Sequence, residues 1–142
     1  MGILQGLLGN LSEVSVDVLK QEYNTYLMDG EEIFTGFKLL RDVVIFTDRR
    51  IINFDKQGTT GTKMRVSSVY ISSVIGVSAE TAGFGLDDSE ITVIYMTSPY
   101  YKAHGRASVA ERTYEFPKKF NIQPLYKWLQ EIAFENHKNL NK

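Results

Sequence analysis

Few side chains in this chain have the type and spacing that chemistry needs. Asp87, Asp88 and Glu90 bring three carboxylates close together, and hard cations such as calcium take oxygen ligands. A calcium loop alternates its ligands and turns on a glycine; neither feature is present, so the triplet reads as a solvated run leading into a strand. Gly58-Thr-Thr-Gly61-Thr-Lys63 has the composition of a phosphate loop. That loop, however, needs four residues between its glycines and then Lys-Ser/Thr opening a helix. Here two residues separate the glycines and a strand pattern follows, which makes a hairpin loop. Gly83-Phe-Gly85 has Asp88 where a dinucleotide fingerprint has its third glycine, and no βαβ unit surrounds it. Ser72 and Ser73 have no neighbouring His or Lys to activate them. No pair of carboxylates sits in contexts that would push their pKa values apart for acid–base work. His104 and His137 stand 33 residues apart, outside any ligand-spaced cluster. The absence of cysteine removes disulfides and thiolate metal sites. Catalysis, cofactors and metals are therefore not expected.

One loop has the chemistry of contact rather than reaction. Ser98-Pro-Tyr-Tyr-Lys-Ala-His-Gly-Arg106 interleaves aromatics with bases. Tyr100, Tyr101, Lys102 and Arg106 could touch a protein partner, a lipid surface or single-stranded nucleic acid, with a protein partner favoured. The alternative is a long hairpin folded back on its own domain.

The elements that must position these residues follow from periodicity. Asp42-Val-Val-Ile-Phe-Thr-Asp-Arg-Arg-Ile-Ile-Asn-Phe-Asp-Lys-Gln-Gly58 carries two apolar runs, Val43–Phe46 and Ile51–Phe54, flanking Thr47-Asp48-Arg49, and predicts an antiparallel hairpin. Five further strands are predicted around it. These are Ile33 to Phe37, Lys63 to Val69 with Met64 and Val66 on the dry face, Ile75 to Ala79, Glu90 to Met96, and Arg112 to Phe116. Seven short, closely spaced strands are an all-β pattern. Helical stripes flank them. Leu4, Leu7, Leu8 and Leu11 form a one-sided stripe that is marginal unless it packs on something. Ser12 or Ser15 caps a second helix whose shared face is Val16, Leu19, Tyr23, Tyr26 and Leu27, ended by Asp29-Gly30. After Pro124, a favoured early helical residue, Leu125, Trp128, Leu129 and Ile132 form a third stripe. The tail from Asn136 is polar and reads as frayed.

At 142 residues, 43% hydrophobic and 23% charged, the chain is sized for one domain that builds its own core. The net charge of −1 hides an asymmetry. Residues 1–37 carry six acids against one base, and residues 98–142 carry eight bases against four acids. Opposite charge at the two ends favours contact between copies over nucleic acid, although a randomly uneven surface gives the same count. No apolar run approaches a membrane span, no basic residue precedes the apolar start, and Gly6 stands where a myristoylation signal wants Ser or Thr. The expected compartment is the cytoplasm.

Phe46-Thr-Asp-Arg-Arg-Ile-Ile52, Asp55-Lys-Gln-Gly58 with Lys63, Tyr70-Ile-Ser-Ser-Val74 and Glu80-Thr-Ala-Gly83, followed by the tryptophan-bearing helix, resemble a bacterial pleckstrin-homology (PH-like) domain of the small single-domain type. The resemblance implies seven antiparallel strands in two near-orthogonal sheets, a barrel capped by the C-terminal helix with Trp128 in its core. It implies a helical extension over residues 1–30, the PH-like domain over 31–138 and a tail over 139–142. It also draws attention to Lys38 and Arg41, in the inter-strand turn that holds the basic headgroup pocket of eukaryotic PH domains. Two bases followed at once by Asp42 are too few for such a pocket, so strong lipid binding is not expected. The expected function is a non-catalytic protein–protein interaction or assembly module. The resemblance implies a ring-shaped homo-oligomer, with Leu4, Leu7, Leu8 and Leu11 packing either between subunits or on their own domain. A peripheral-membrane or anionic-ligand module is the alternative.

Overall fold

A computed structural model describes residues 13–39, 42–57, 63–82, 88–98, 102, 105–140 and 142. The chain divides into two compact units, Met1–Ile71 and Ser72–Lys142.

The first unit runs β1 (Glu13–Val14), α1 (Val16–Tyr23), β2 (Ile33–Lys38), β3 (Asp42–Thr47), β4 (Arg50–Gln57) and β5 (Lys63–Tyr70). Its strands form one antiparallel sheet in the order β1-β2-β3-β4-β5. The predicted hairpin is its centre, with Phe46 opposite Ile51 and Asp48-Arg49 as a two-residue turn. Both faces of this sheet are buried at the centre. One carries Phe37, Val44, Phe46, Ile51 and Val69. The other carries Ile33, Ile45, Ile52 and Phe54, which form a cluster with Leu19 and Tyr23 of α1.

Ser15 starts α1 by accepting a hydrogen bond from the Val18 N–H at 3.3 Å, which chooses between the two predicted caps. The helix sits close to the sheet because Gly36 lies beneath it: a Cβ there would stand 2.5 Å from Leu19 Cδ1. Three expectations for this unit change. The helix ends at Tyr23 and gives way to a 3-10 turn, Asn24–Tyr26, so Tyr26 leaves the buried face. The two-residue β1 was not predicted, since it is too short to show a period. Val66, assigned to a dry face, is 37% exposed because β5 is an edge strand.

The second unit contains β6 (Val74–Glu80), β7 (Ser89–Met96), β8 (Val109–Phe116) and α2 (Gln123–Leu140). The three strands form an antiparallel sheet in that order. Leu125, Trp128 and Leu129 of the predicted stripe are buried on α2 as expected, but its fourth member, Ile132, is only half-buried and Ala133 completes the buried face instead. The tail predicted to fray is helical to Leu140. Side chains explain it: the Asn136 Nδ2 donates to the Val74 carbonyl at 2.7 Å, and His137 Nε2 lies 2.7 Å from the Ile75 carbonyl. A register shift between Val74 and Gly76 interrupts the β6–β7 pairing here, and these two side chains bond to backbone carbonyls at the interruption. Those bonds anchor the last turns of α2.

Candidate functional site

The best-defined polar constellation is a clamp on the helix-bearing face of the first unit. The Glu31 side chain is fully buried and pairs bidentately with Arg50, with Arg50 Nε donating to Oε2 and Nη2 to Oε1, both at 2.9 Å. Thr47 Oγ1 donates to Glu31 Oε2 at 2.6 Å, and the Met28 N–H donates to Oε1 at 2.9 Å. Arg50 Nη2 also donates to the Tyr26 carbonyl at 2.6 Å. Burial pushes the Glu31 carboxyl up, but the hydrogen bonds from Arg50, Thr47 and Met28 outweigh it and hold its pKa at about 2. The turn that presents Glu31 depends on Gly30, whose φ of +79° suits the third position of a type II turn closed by Glu31 N–H to the Met28 carbonyl. The segment is fastened a second time at the hairpin turn: Glu32 N–H donates to Asp48 Oδ1 at 2.9 Å and Asp48 N–H to the Glu32 carbonyl at 3.0 Å. Every lone pair of Glu31 is occupied by protein, so the clamp is a structural tie with no acid–base capacity near neutral pH.

A cleft of about 90 Å³ opens on the same face where α1 stops. Tyr23, Leu39, Val43, Phe54 and Met64 line it, with Lys38, Lys56 and Asp42. Lys38 is thus an exposed residue at the rim of a small cleft. Arg41, its expected companion, lies outside the described residues, as do Tyr100, Tyr101, Asp87, residues 58–62 and Leu4, Leu7, Leu8 and Leu11. In the second unit Lys102 and Arg106 are exposed, and Lys102 Nζ donates to the Lys142 carbonyl at 2.6 Å. Among the described residues no group of three His, Cys, Asp or Glu is placed to hold a metal ion. No helix among them is long and apolar enough to cross a membrane.

Sequence reasoning missed Glu31, Thr47 and Arg50. A signal was present: Arg50 adjoins the apolar run Ile51–Phe54, where a buried guanidinium requires a carboxylate partner, and Glu31 follows a turn dipeptide that brings it back to the sheet.

Two antiparallel sheets, an N-terminal helix and a long C-terminal helix with a buried tryptophan define a PH-like fold. The chain belongs to the bacterial PH domain family, which it matches over residues 2–133. It is 43% identical over 93 residues to YjqA, an uncharacterised protein of Bacillus subtilis (strain 168), across 66% of this chain and 74% of that one. Two crystal structures are similar throughout. A pleckstrin homology domain from Shewanella amazonensis SB2B is 30% identical with a TM-score of 0.63, covering 93% of this chain and 98% of its own. A DUF1696 family protein with a pleckstrin-homology domain from Shewanella loihica PV-4 is 28% identical with a TM-score of 0.64, covering 88% and 98%.

Proposed function

We propose that this protein is a non-catalytic, cytoplasmic assembly module that associates with copies of itself, most simply as a closed ring. The observation that carries the reading is a set of exposed apolar side chains grouped around the clamp. Tyr26 is 42% exposed, Met28 38%, Val66 37% and Tyr70 59%. They are neighbours: Tyr26 meets Phe54 edge-on at 5.3 Å, Val66 is opposite Phe54, and Tyr70 is opposite Arg50. Large apolar residues gathered on one surface mark a contact site, and tyrosines suit such sites because they bury area at small entropic cost. The clamp beneath holds the Tyr26–Met28 segment in place, so the surface is preorganised.

Charge supports the head-to-tail geometry. The acidic residues 1–37 and basic residues 98–142 attract best when the front of one copy meets the back of the next, and such a heterologous contact closes as a ring or extends as a filament. Leu4, Leu7, Leu8 and Leu11, a stripe in the sequence that lies outside the described residues, are candidates for the same contact or for packing on their own domain.

The mass of the purified protein in solution tests the reading. A defined oligomer is expected at micromolar concentration, and Tyr70→Glu with Val66→Asp should dissociate it without unfolding the sheet. Deleting residues 1–12 assigns the leucine stripe: loss of the oligomer with a folded domain places it between subunits, and an unchanged oligomer places it elsewhere. An intact, folded monomer refutes self-assembly.

A further inference from the structure

We propose that the cleft beside Tyr23 is a binding site for a small monocarboxylate with a compact branched apolar group, such as a branched short-chain acid. The proposal does not depend on self-assembly. The cleft is the unfilled end of the helix-bearing core. Lys38, Val43 and Phe54 form one cross-strand row, and Lys56 opposite Met64 belongs to the next. The ring of Tyr23, the last residue of α1, lies 4.3 Å from that of Phe54, and beyond it no residue of the helix remains to cover Val43 and Met64, which are only half-buried. The cleft thus has apolar lining from Tyr23, Leu39, Val43, Phe54 and Met64, with charge from Lys38 and Lys56.

Among the described residues neither lysine side chain has a salt-bridge or hydrogen-bond partner. Two lysines bordering apolar walls complement an anion with an apolar body, and Asp42 lines the same cleft. Two point-charge donors with a carboxylate beside them suit a single negative charge. A phosphate dianion is better held by convergent, bidentate donors without a competing acid. Tyr23 also lines the cleft, and its phenol, raised by burial first and then by Glu22 and Tyr26, stays protonated.

Size selects the apolar part. The cleft holds about 90 Å³, against about 150 Å³ for a closed dry cavity that accepts benzene, so the part of a ligand it covers is a compact, isobutyl-sized group. Met64, with its flexible thioether, can adjust to a branched group.

The test is a titration of the full-length, isotope-labelled protein followed by backbone amide and methionine methyl NMR. The probes are isovalerate, acetate, isoamyl alcohol and inorganic phosphate. Saturable shifts at Val43, Phe54, Lys56 and Met64 are expected with isovalerate. Acetate, which lacks the apolar group, and isoamyl alcohol, which lacks the charge, should bind about tenfold more weakly or worse. Lys38→Ala and Lys56→Ala, both at exposed positions, should each weaken isovalerate by about fivefold. Val43→Phe should fill the cleft and remove binding. No saturable shift with isovalerate, shifts away from the cleft, or equal binding of acetate would overturn the proposal. So would tighter binding of phosphate, or lysine variants that bind as the wild type does.

Discussion

Replacing Glu31 with Gln should be among the most damaging isosteric changes in this protein, and its effect should fade in acid. Glu31 accepts four hydrogen bonds, two from Arg50, one from Thr47 and one from the Met28 N–H, and its side chain is fully buried. The variant keeps the shape but leaves the Arg50 guanidinium, 14% exposed at its side chain, without its counter-charge. Removing one partner of a buried pair costs about 3–5 kcal/mol, a large part of a domain's total of about 5–15 kcal/mol. Lowering the carboxyl from 4.5 to about 2 corresponds to about 3 kcal/mol of stability at neutral pH, which agrees. The sign follows from the direction. The folded protein binds this proton less readily than the unfolded chain. The contribution is therefore complete above the unfolded value of about 4.5 and is lost as pH falls towards about 2. Urea titrations of both proteins, followed by far-UV circular dichroism between neutral pH and about pH 2.5, should show a gap that is constant from pH 7 to about 5 and closes below it. A companion variant, Glu31→Gln with Arg50→Met, should recover part of the loss because no unpaired charge remains. A gap below about 1 kcal/mol at neutral pH, or one that does not narrow in acid, would refute the clamp as a stabilising tie.

Trp128 is 3% exposed on the buried face of α2, so Trp128→Ala should cost about 3–5 kcal/mol in chemical denaturation; an equally stable variant would mean the tryptophan is not a core residue. Gly36→Ala would put a Cβ 2.5 Å from Leu19 Cδ1 and 3.1 Å from the Val44 carbonyl, and should cost about 1–3 kcal/mol by overpacking. Trimming Leu19 to Ala in the Gly36→Ala background should then cost less than it does in the wild type, and strict additivity of the two changes would show that the contact is not what Gly36 protects.

The strands were legible because each buried run is short, β-branched and bounded by polar turns; Val43–Phe46 and Ile51–Phe54 meet in the register their spacing predicts. The helix ends were less legible. Periodicity carried α1 through Tyr26 and Leu27, but the Arg50 guanidinium takes the Tyr26 carbonyl and a 3-10 turn replaces the last turn. At the other terminus polarity argued for fraying, and long-range bonds from Asn136 and His137 to β6 overrode it. Both misses have one cause. The deciding partner is distant in sequence, so no local window contains it. The candidate site followed the same rule. Lys38 was visible through the family resemblance, while Lys56 and Tyr23 join it at the cleft only through strand pairing and the stopping point of a helix.

The clamp, the cleft and the apolar surface can be traced to the shortness of α1. An eight-residue helix cannot cover a five-stranded sheet, and it buries only the centre, where Leu19 and Tyr23 rest on Ile45, Ile52 and Phe54. Past Tyr23 the core stays open as a cleft, and along edge strand β5 Val66 and Tyr70 stay exposed. A longer helix would have closed the core more fully and left less of this face exposed. The chain instead turns back at Gly30 and fastens the turn with Glu31 and Arg50, so that Tyr26 and Met28 are held exposed beside the uncovered strand. The buried ion pair works together with Leu27, which packs on the core cluster, so the segment stays ordered while Tyr26 and Met28 remain largely exposed.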